Sequence, residues 1–79
     1  MKMPITIGEQ TRDLDTISQI GFWDAEKGFY AQLRVEYNHG LPAESFVLEY
    51  RQALYLYARI TNDLLRRIDK VRNAFKEAA

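Results

Sequence analysis

The sequence predicts an α+β fold in which an antiparallel β-hairpin packs on one long C-terminal α-helix. In residues 41–79 there is no glycine, Pro42 is the only proline, and apolar residues recur in steps of three and four, the spacing of a helix. In residues 14–40, apolar residues alternate with polar ones on either side of a short loop that ends at Gly28, which is typical of a hairpin. Seventy-nine residues make a single domain, with residues 1–13 as an N-terminal strand or arm.

The N-terminal segment contains one short β-branched run, Pro4-Ile5-Thr6-Ile7, which is closed by Gly8. Because a leading proline is tolerated in an edge strand, this run could add a third strand to the hairpin. It is equally compatible with a loose arm. Residues 10–15 are polar, and we interpret them as a connection.

Residues 16–37 are compatible with either a hairpin or a helix. A helix would carry Gly21 and Gly28 in its interior, and each would cost about 1 kcal/mol relative to alanine. Gly28 also suits the positive φ that a short hairpin loop requires. We therefore favour the hairpin, and an all-α helical hairpin is the alternative fold.

The hairpin prediction implies a register. If Asp24 pairs with Phe29 across the loop, Trp23 lies opposite Tyr30, and side chains alternate between two faces of each strand. The second face collects polar side chains together with Trp23 and Tyr30, which we expect to be exposed. The first face collects the apolar side chains Ile20, Phe22, Phe29, Ala31, Leu33, Val35 and Tyr37.

The predicted helix 41–79 carries a heptad-like seam, the pattern of a helix that packs along another helix. Its first half is apolar over a wide arc, which predicts cover on two sides, by the hairpin and by a second molecule. Arg67 and Arg72 flank the seam, so an antiparallel pair or an acidic foreign helix suits it better than a parallel pair does. We predict a homodimer through Leu54, Thr61, Leu64, Ile68, Val71 and Phe75.

Aromatic and arginine side chains are the candidates for binding a partner, because Trp, Tyr and Arg are enriched at binding hot spots. Packing is the simpler interpretation for Tyr50 and Tyr57, which lie one heptad apart on the seam. Recognition is favoured for Trp23 and Tyr30 because both lie on the polar face of the predicted hairpin. The predicted partner-binding residues are Trp23, Tyr30, Tyr50, Tyr57, Arg67 and Arg72.

The overall charge is balanced, with 11 basic and 11 acidic residues, so no global field attracts nucleic acid. The C-terminal end is locally basic, because Arg66, Arg67, Lys70, Arg72 and Lys76 face only Asp69 and Glu77. A small nucleic-acid-binding transcriptional regulator that uses this end is therefore the alternative function.

No motif in the sequence specifies a chemistry. The chain has no cysteine and a single histidine, His39 in an Asn-His-Gly turn, so we expect no metal, no cofactor and no enzymatic activity. No apolar run approaches the roughly 18 residues of a membrane span, and the N-terminus lacks the apolar core of a signal peptide. We therefore expect a cytoplasmic, non-enzymatic interaction protein that serves as an adaptor, a chaperone or an inhibitor of a larger protein.

Overall fold

The structure of the chain is a computed structural model that describes residues 3–78. It confirms the predicted α+β class, since an antiparallel sheet packs against one long C-terminal helix, and it does not support the all-α alternative. The described residues form β1 (Pro4–Ile7), β2 (Gln10–Asp13), a 3-10 turn (Leu14–Thr16), β3 (Ile17–Glu26), β4 (Tyr30–Tyr37), β5 (Glu44–Glu49) and α1 (Tyr50–Ala78).

The strands form two antiparallel sheets. The larger sheet has the order β3-β4-β5, and the smaller one is the β1-β2 hairpin. The run at Pro4–Ile7 is therefore a strand, but it does not join the larger sheet as a third strand. The polar segment Gln10–Asp13, which we interpreted as a connection, is its pairing partner.

The helix begins later than the sequence predicted. Residues 44–49 form β5, in which Phe46 and Leu48 pack against the core while Ser45 and Val47 are exposed. This alternation has the period of a strand, and the heptad pattern is wrong for this segment. No residue separates β5 from α1. The backbone N–H of Tyr50, the first helical residue, donates to the carbonyl of Phe29 at 3.0 Å.

The β3-β4 register differs by two residues from the predicted one. Trp23 lies opposite Gln32, and Tyr30 lies opposite Glu26. The strands extend further than predicted, and a bulge between Asp24 and Glu26 absorbs the change. Because side chains alternate with a period of two, a slip of two residues keeps each one on its predicted face. The exception is Phe29, which belongs to the loop and is 73% exposed.

Helix α1 and the β1-β2 hairpin lie side by side on one face of the larger sheet. The helix packs mainly on β3 and β4. The hairpin reaches β5, since Arg12 pairs with Glu44 and Gly8 lies against the side chain of Leu48. Together they enclose one core, whose buried members are Ile5, Ile7, Leu14, Ile17, Ala31, Leu33, Val35, Leu48, Ala53, Leu56 and Ile60.

Helix α1 is packed against the sheet over its first half and is exposed toward its C-terminus. Ala53, Leu56 and Ile60 are buried against the strands at helical spacing. At about 1.5 Å per residue, the 29 residues of α1 span roughly 43 Å, close to the 48 Å length of the molecule. From Ile68 onward, every residue whose side chain the structure describes is exposed. The C-terminal part of the helix therefore has no cover from the part of the chain that the structure describes.

Candidate functional site

The face of the larger sheet that points away from α1 is bare, and we call it the outer face. Alternation along the strands selects its members, and the register aligns them in rows across the sheet. It consists of Gln19, Gly21 and Trp23 from β3, Tyr30, Gln32, Arg34 and Glu36 from β4, and Ser45, Val47 and Glu49 from β5.

The outer face contains one row of large side chains. Trp23, Gln32 and Val47 lie directly opposite one another on the three strands. Trp23 is 51% exposed and Val47 is 69% exposed. Tyr30, which is half exposed, is on the same face two residues from Gln32. The sequence predicted the exposure of Trp23 and Tyr30 but missed Val47, because that residue had been assigned to the helix.

Gly21 positions the indole of Trp23. A Cβ atom at Gly21 would lie 2.7 Å from the nearest carbon of the indole ring and 2.9 Å from the next. The ring therefore packs against the backbone at this residue, and any larger side chain would displace it. The indole is held on a regular strand rather than on a mobile loop, and this is the arrangement of a pre-organised aromatic contact.

The charges of the outer face do not favour a phosphate ligand. Arg34 is its one basic residue, and the Nε atom of Arg34 lies 3.8 Å from a carboxylate oxygen of Glu36. Glu49 adds a second carboxylate at the end of β5. A surface that binds nucleic acid through its backbone requires an excess of cations, which this face does not have.

Tyr50 and Tyr57, which the sequence also assigned to partner binding, pack inside the domain. Both contact Phe22 of β3, Tyr50 with ring centroids 5.8 Å apart at 74°, and Tyr57 with centroids 5.7 Å apart at 53°. Both tyrosines are half-buried. These edge-to-face and tilted contacts join α1 to the sheet, which agrees with the simpler packing interpretation.

Arg67 and Arg72 have different environments. The guanidinium of Arg67 donates to Asp63 Oδ2 at 3.1 Å and to the carbonyl of Leu14 at 3.2 Å, so it is bound within its own chain. Arg72 is exposed and lines a shallow apolar depression with Ile68 and Val71. Of the two predicted binding arginines, only Arg72 presents its charge away from the domain.

The predicted dimer seam divides between two environments. Leu64 packs against the core and Thr61 is half-buried. Leu54, Ile68 and Val71 are exposed, with 45%, 52% and 57% of their surfaces accessible. The side chain of Phe75 lies outside the part that the structure describes.

The strongest electrostatic feature is a cluster that no sequence pattern signalled. Arg12 donates to Glu44 through Nε at 2.7 Å and through Nη2 at 2.8 Å, and the hydroxyl of Tyr37 donates to the same carboxylate. The hydrogen bond from Arg12, and then that from Tyr37, lower the pKa of Glu44 to about 2. Burial, followed by the hydrogen bond to Glu44, raises the pKa of Tyr37 to about 12. Arg12 and Tyr37 both donate hydrogen bonds to Glu44. The cluster therefore ties β2 to the sheet and offers no free acid or base.

Within residues 3–78, no group of three or more His, Asp or Glu side chains is placed to hold a metal ion. His39 lies in the turn before β5 with a φ of 62° and is exposed. Among the described residues, no helix is both long enough and apolar enough to cross a membrane.

Comparison of the chain with protein-family models, with curated proteins and with solved structures gives no significant match.

Proposed function

We propose that this protein is a non-enzymatic protein-interaction module that binds a larger protein through its outer face and forms a homodimer through α1. It acts as an adaptor, a chaperone or an inhibitor of that protein. We assign it to the cytoplasm, in keeping with a chain that contains no cysteine.

The observation that carries the proposal is the exposed row of Trp23, Gln32 and Val47, together with the neighbouring Tyr30. The opposite face of the sheet already encloses the core, so folding does not require these side chains to be large and apolar. Trp and Tyr give much buried area for few rotatable bonds, and they recur at binding hot spots.

The surroundings of this row match the anatomy of a protein interface. Trp23 and Val47 flank Gln32 at its centre, and Arg34, Glu36 and Glu49 lie around them as a polar rim. The outer face of the three strands has an area of roughly 300 Å², which is less than the roughly 800 Å² that each partner contributes to a standard interface. A stable partner must therefore extend beyond the row, and the exposed ring of Phe29 at the adjoining loop is the nearest additional apolar contact.

The basic C-terminal end supports nucleic-acid binding less well. Arg66 and Lys70 lie one turn apart on one side of α1, whereas Arg72 and Lys76 lie one turn apart on another side. A helix that follows a nucleic-acid backbone needs its cations on one side.

The test is capture of a partner from nuclease-treated extract of the source cell by the tagged protein, by its Trp23→Ser variant and by a Tyr55→Ser control. Tyr55 is 63% exposed on α1, away from the outer face. We expect a protein in stoichiometric amount with the wild type and with the control, and its loss with Trp23→Ser. Equal capture by Trp23→Ser would contradict the assigned surface. Recovery of nucleic acid alone from untreated extract would instead support the alternative function, a nucleic-acid-binding transcriptional regulator.

A further inference from the structure

One side of α1 carries a regular stripe of uncharged residues that the described part of the domain covers only at Thr61, which is half-buried. Its members are four, three, four and three residues apart, which is the spacing of a helix-helix contact. Leu54 is 45% exposed, Leu65 is 53% exposed and Ile68 is 52% exposed. We call this the lateral stripe: Leu54, Ala58, Thr61, Leu65 and Ile68.

The C-terminal part of the lateral stripe faces the free edge of β3. Thr61, Leu65 and Ile68 line a groove whose other wall is formed by Gln19 and Ile20 of that strand. Within residues 3–78, β3 pairs only with β4 in the larger sheet, so it is an edge strand. Natural edge strands are commonly protected by charged residues, but β3 has none between Ile17 and Trp23. The charged residue that lines this groove, Arg67, is bound to Asp63 and to the carbonyl of Leu14, so the rest of the stripe and the strand edge form one uncharged surface.

We propose that a second copy of this chain covers this surface, with the two α1 helices antiparallel and related by a two-fold axis that passes between Arg59 and Ile60. The proposal rests on the dimer in the proposed function and supplies its geometry. It does not depend on what binds the outer face.

Four of the five members of the stripe meet one another in this arrangement. Leu54 lies opposite the partner's Leu65, and Ala58 lies opposite the partner's Thr61. Large side chains thus meet at the two ends of the contact, and small ones meet at its centre, where the helices approach most closely. Arg59 and Asp63 belong to the same stretch of α1, but they line a depression beside Met3 and Leu14, which Ala58 of the stripe also borders.

The spacing of the strands fits the same axis. A helix over the space between β3 and β4 lies about one strand spacing, roughly 5 Å, from a two-fold axis that stands perpendicular to the sheet at the free edge of β3. Two such helices are then about 10 Å apart, within the usual range for packed helices. A foreign helix seated on the stripe would leave the β3 edge unpaired, whereas a second copy brings its own β3 edge alongside.

Charge complementarity also favours an antiparallel second copy. A parallel pair would align the basic end of one helix with the same residues of the other, including Arg66 and Arg72. The antiparallel pair instead brings the basic end of each helix to the start of the partner's helix. In each chain, residues 1–63 carry six basic and nine acidic residues, whereas residues 64–79 carry five basic and two acidic ones. The basic end therefore meets the acidic part of its neighbour.

Because the chain contains no cysteine, single engineered thiols can test the register. The test uses Leu54→Cys alone, Leu65→Cys alone, and the two variants co-expressed. In the proposed dimer, positions 54 and 65 face each other across the two-fold axis. Position 54 is about 16 Å along the helix from the partner's position 54, far beyond the roughly 7 Å limit for a disulfide. We expect a disulfide-linked dimer from the co-expressed pair and little from either variant alone, with Arg59→Cys, on the other side of α1, unlinked as the control.

Two further outcomes distinguish the absence of a dimer from a dimer whose helices are not antiparallel. A solution mass of one copy, 9.3 kDa, would overturn this inference and also the dimer of the proposed function. A mass of two copies with disulfides in each single variant would overturn the antiparallel pairing alone.

Ala58→Glu provides a check that does not disturb the core, since Ala58 is exposed in the single chain. We expect it to keep the circular dichroism of the wild type and to shift the mass from two copies to one, and an unchanged two-copy mass would contradict the proposed contact.

Discussion

The guanidinium of Arg12 donates to both carboxylate oxygens of Glu44 and thereby joins the N-terminal hairpin to the edge strand of the larger sheet. The two residues are 32 positions apart in the chain. Bidentate geometry makes this contact more specific than an ordinary surface ion pair. It holds β2, which has no apolar pattern of its own, against the domain.

Stability in acid tests this contact. The pKa of Glu44 in the folded chain is about 2, below its ordinary value of 4.5, so the stabilisation is present above about pH 4.5 and is lost as the pH falls toward 2. We expect Glu44→Gln to lower the urea midpoint at neutral pH and to match the wild type near pH 2. Glu9→Gln, at an exposed position, is the control. A difference between Glu44→Gln and the wild type that stays constant from pH 7 to about pH 2 would contradict the role of this carboxylate.

Tyr37 gives the corresponding prediction in alkali. The pKa of Tyr37 is raised from 10.0 to about 12, so its contribution is complete below pH 10 and is lost as the pH rises through 12. We expect phenolate absorbance in the near ultraviolet to show one late-titrating tyrosine, which Tyr37→Phe removes. A Tyr37→Phe titration curve that keeps the late phase would assign it to another residue.

Gly21→Ala tests the positioning of Trp23. The new methyl group cannot occupy its site while the indole remains, so the ring must move away from the strand. Because Trp23 is half exposed, the ring can move outward, and we expect a change in the free energy of unfolding of about 1 kcal/mol or less. Tryptophan fluorescence, which reports this single indole, should shift to longer wavelength. An unchanged emission spectrum would show that the ring does not rest on Gly21.

Ile60 anchors α1 to the sheet. Its side chain is completely buried, so Ile60→Ala should destabilise the domain by about 3 kcal/mol through lost transfer energy and the cavity that remains. Leu41→Ala, at a position 53% exposed in the loop before β5, is the matched control and should change stability by less than about 0.5 kcal/mol. Equal losses in urea denaturation would contradict the assignment of the buried side of α1.

Arg67 should affect stability more than its neighbour Arg66. Arg67 satisfies the carbonyls of Leu14 and Asp15 in the 3-10 turn as well as the carboxylate of Asp63, whereas Arg66 is exposed. Because these bonds are partly solvated, we expect Arg67→Ala to cost about 1 kcal/mol and Arg66→Ala to be nearly neutral. Thermal unfolding of the two variants measures the difference. Equal midpoints would mean that the turn does not depend on this side chain.

The fold class and the faces of the hairpin were predicted from the alternation along β3 and β4, and the hairpin was favoured over a helix because a helix would carry Gly21 and Gly28 in its interior. The register was not predictable, since the bulge near Ala25 depends on how the loop closes. The start of α1 was misplaced because Val47 fits a heptad spacing as well as a strand. Whether such a short segment forms a strand or a helix depends on tertiary pairing, here with β4, rather than on the local sequence pattern.

The candidate site was predicted in part, for a related reason. Trp23 and Tyr30 were recognised because they interrupt a polar face. Leu54, Thr61 and Ile68 of the lateral stripe were predicted as part of the dimer seam. Ala58 was missed because it is too small to register as apolar, and Leu65 was not assigned to the seam because it lies beside the strict heptad. Arg12 and Glu44 are so distant in sequence that only the folded chain brings them together.

The direct junction between Glu49 and Tyr50 limits how the length of this chain can change during evolution. With no loop between β5 and α1, one inserted residue would rotate the whole helix by about 100° relative to the sheet. Ala53 and Ile60 would leave the core, and the lateral stripe would no longer face the edge of β3. Insertions at the exposed loop around Gly28 carry no such penalty. Homologous chains should therefore vary in length at that loop and keep a constant spacing from Leu48 through Ile60.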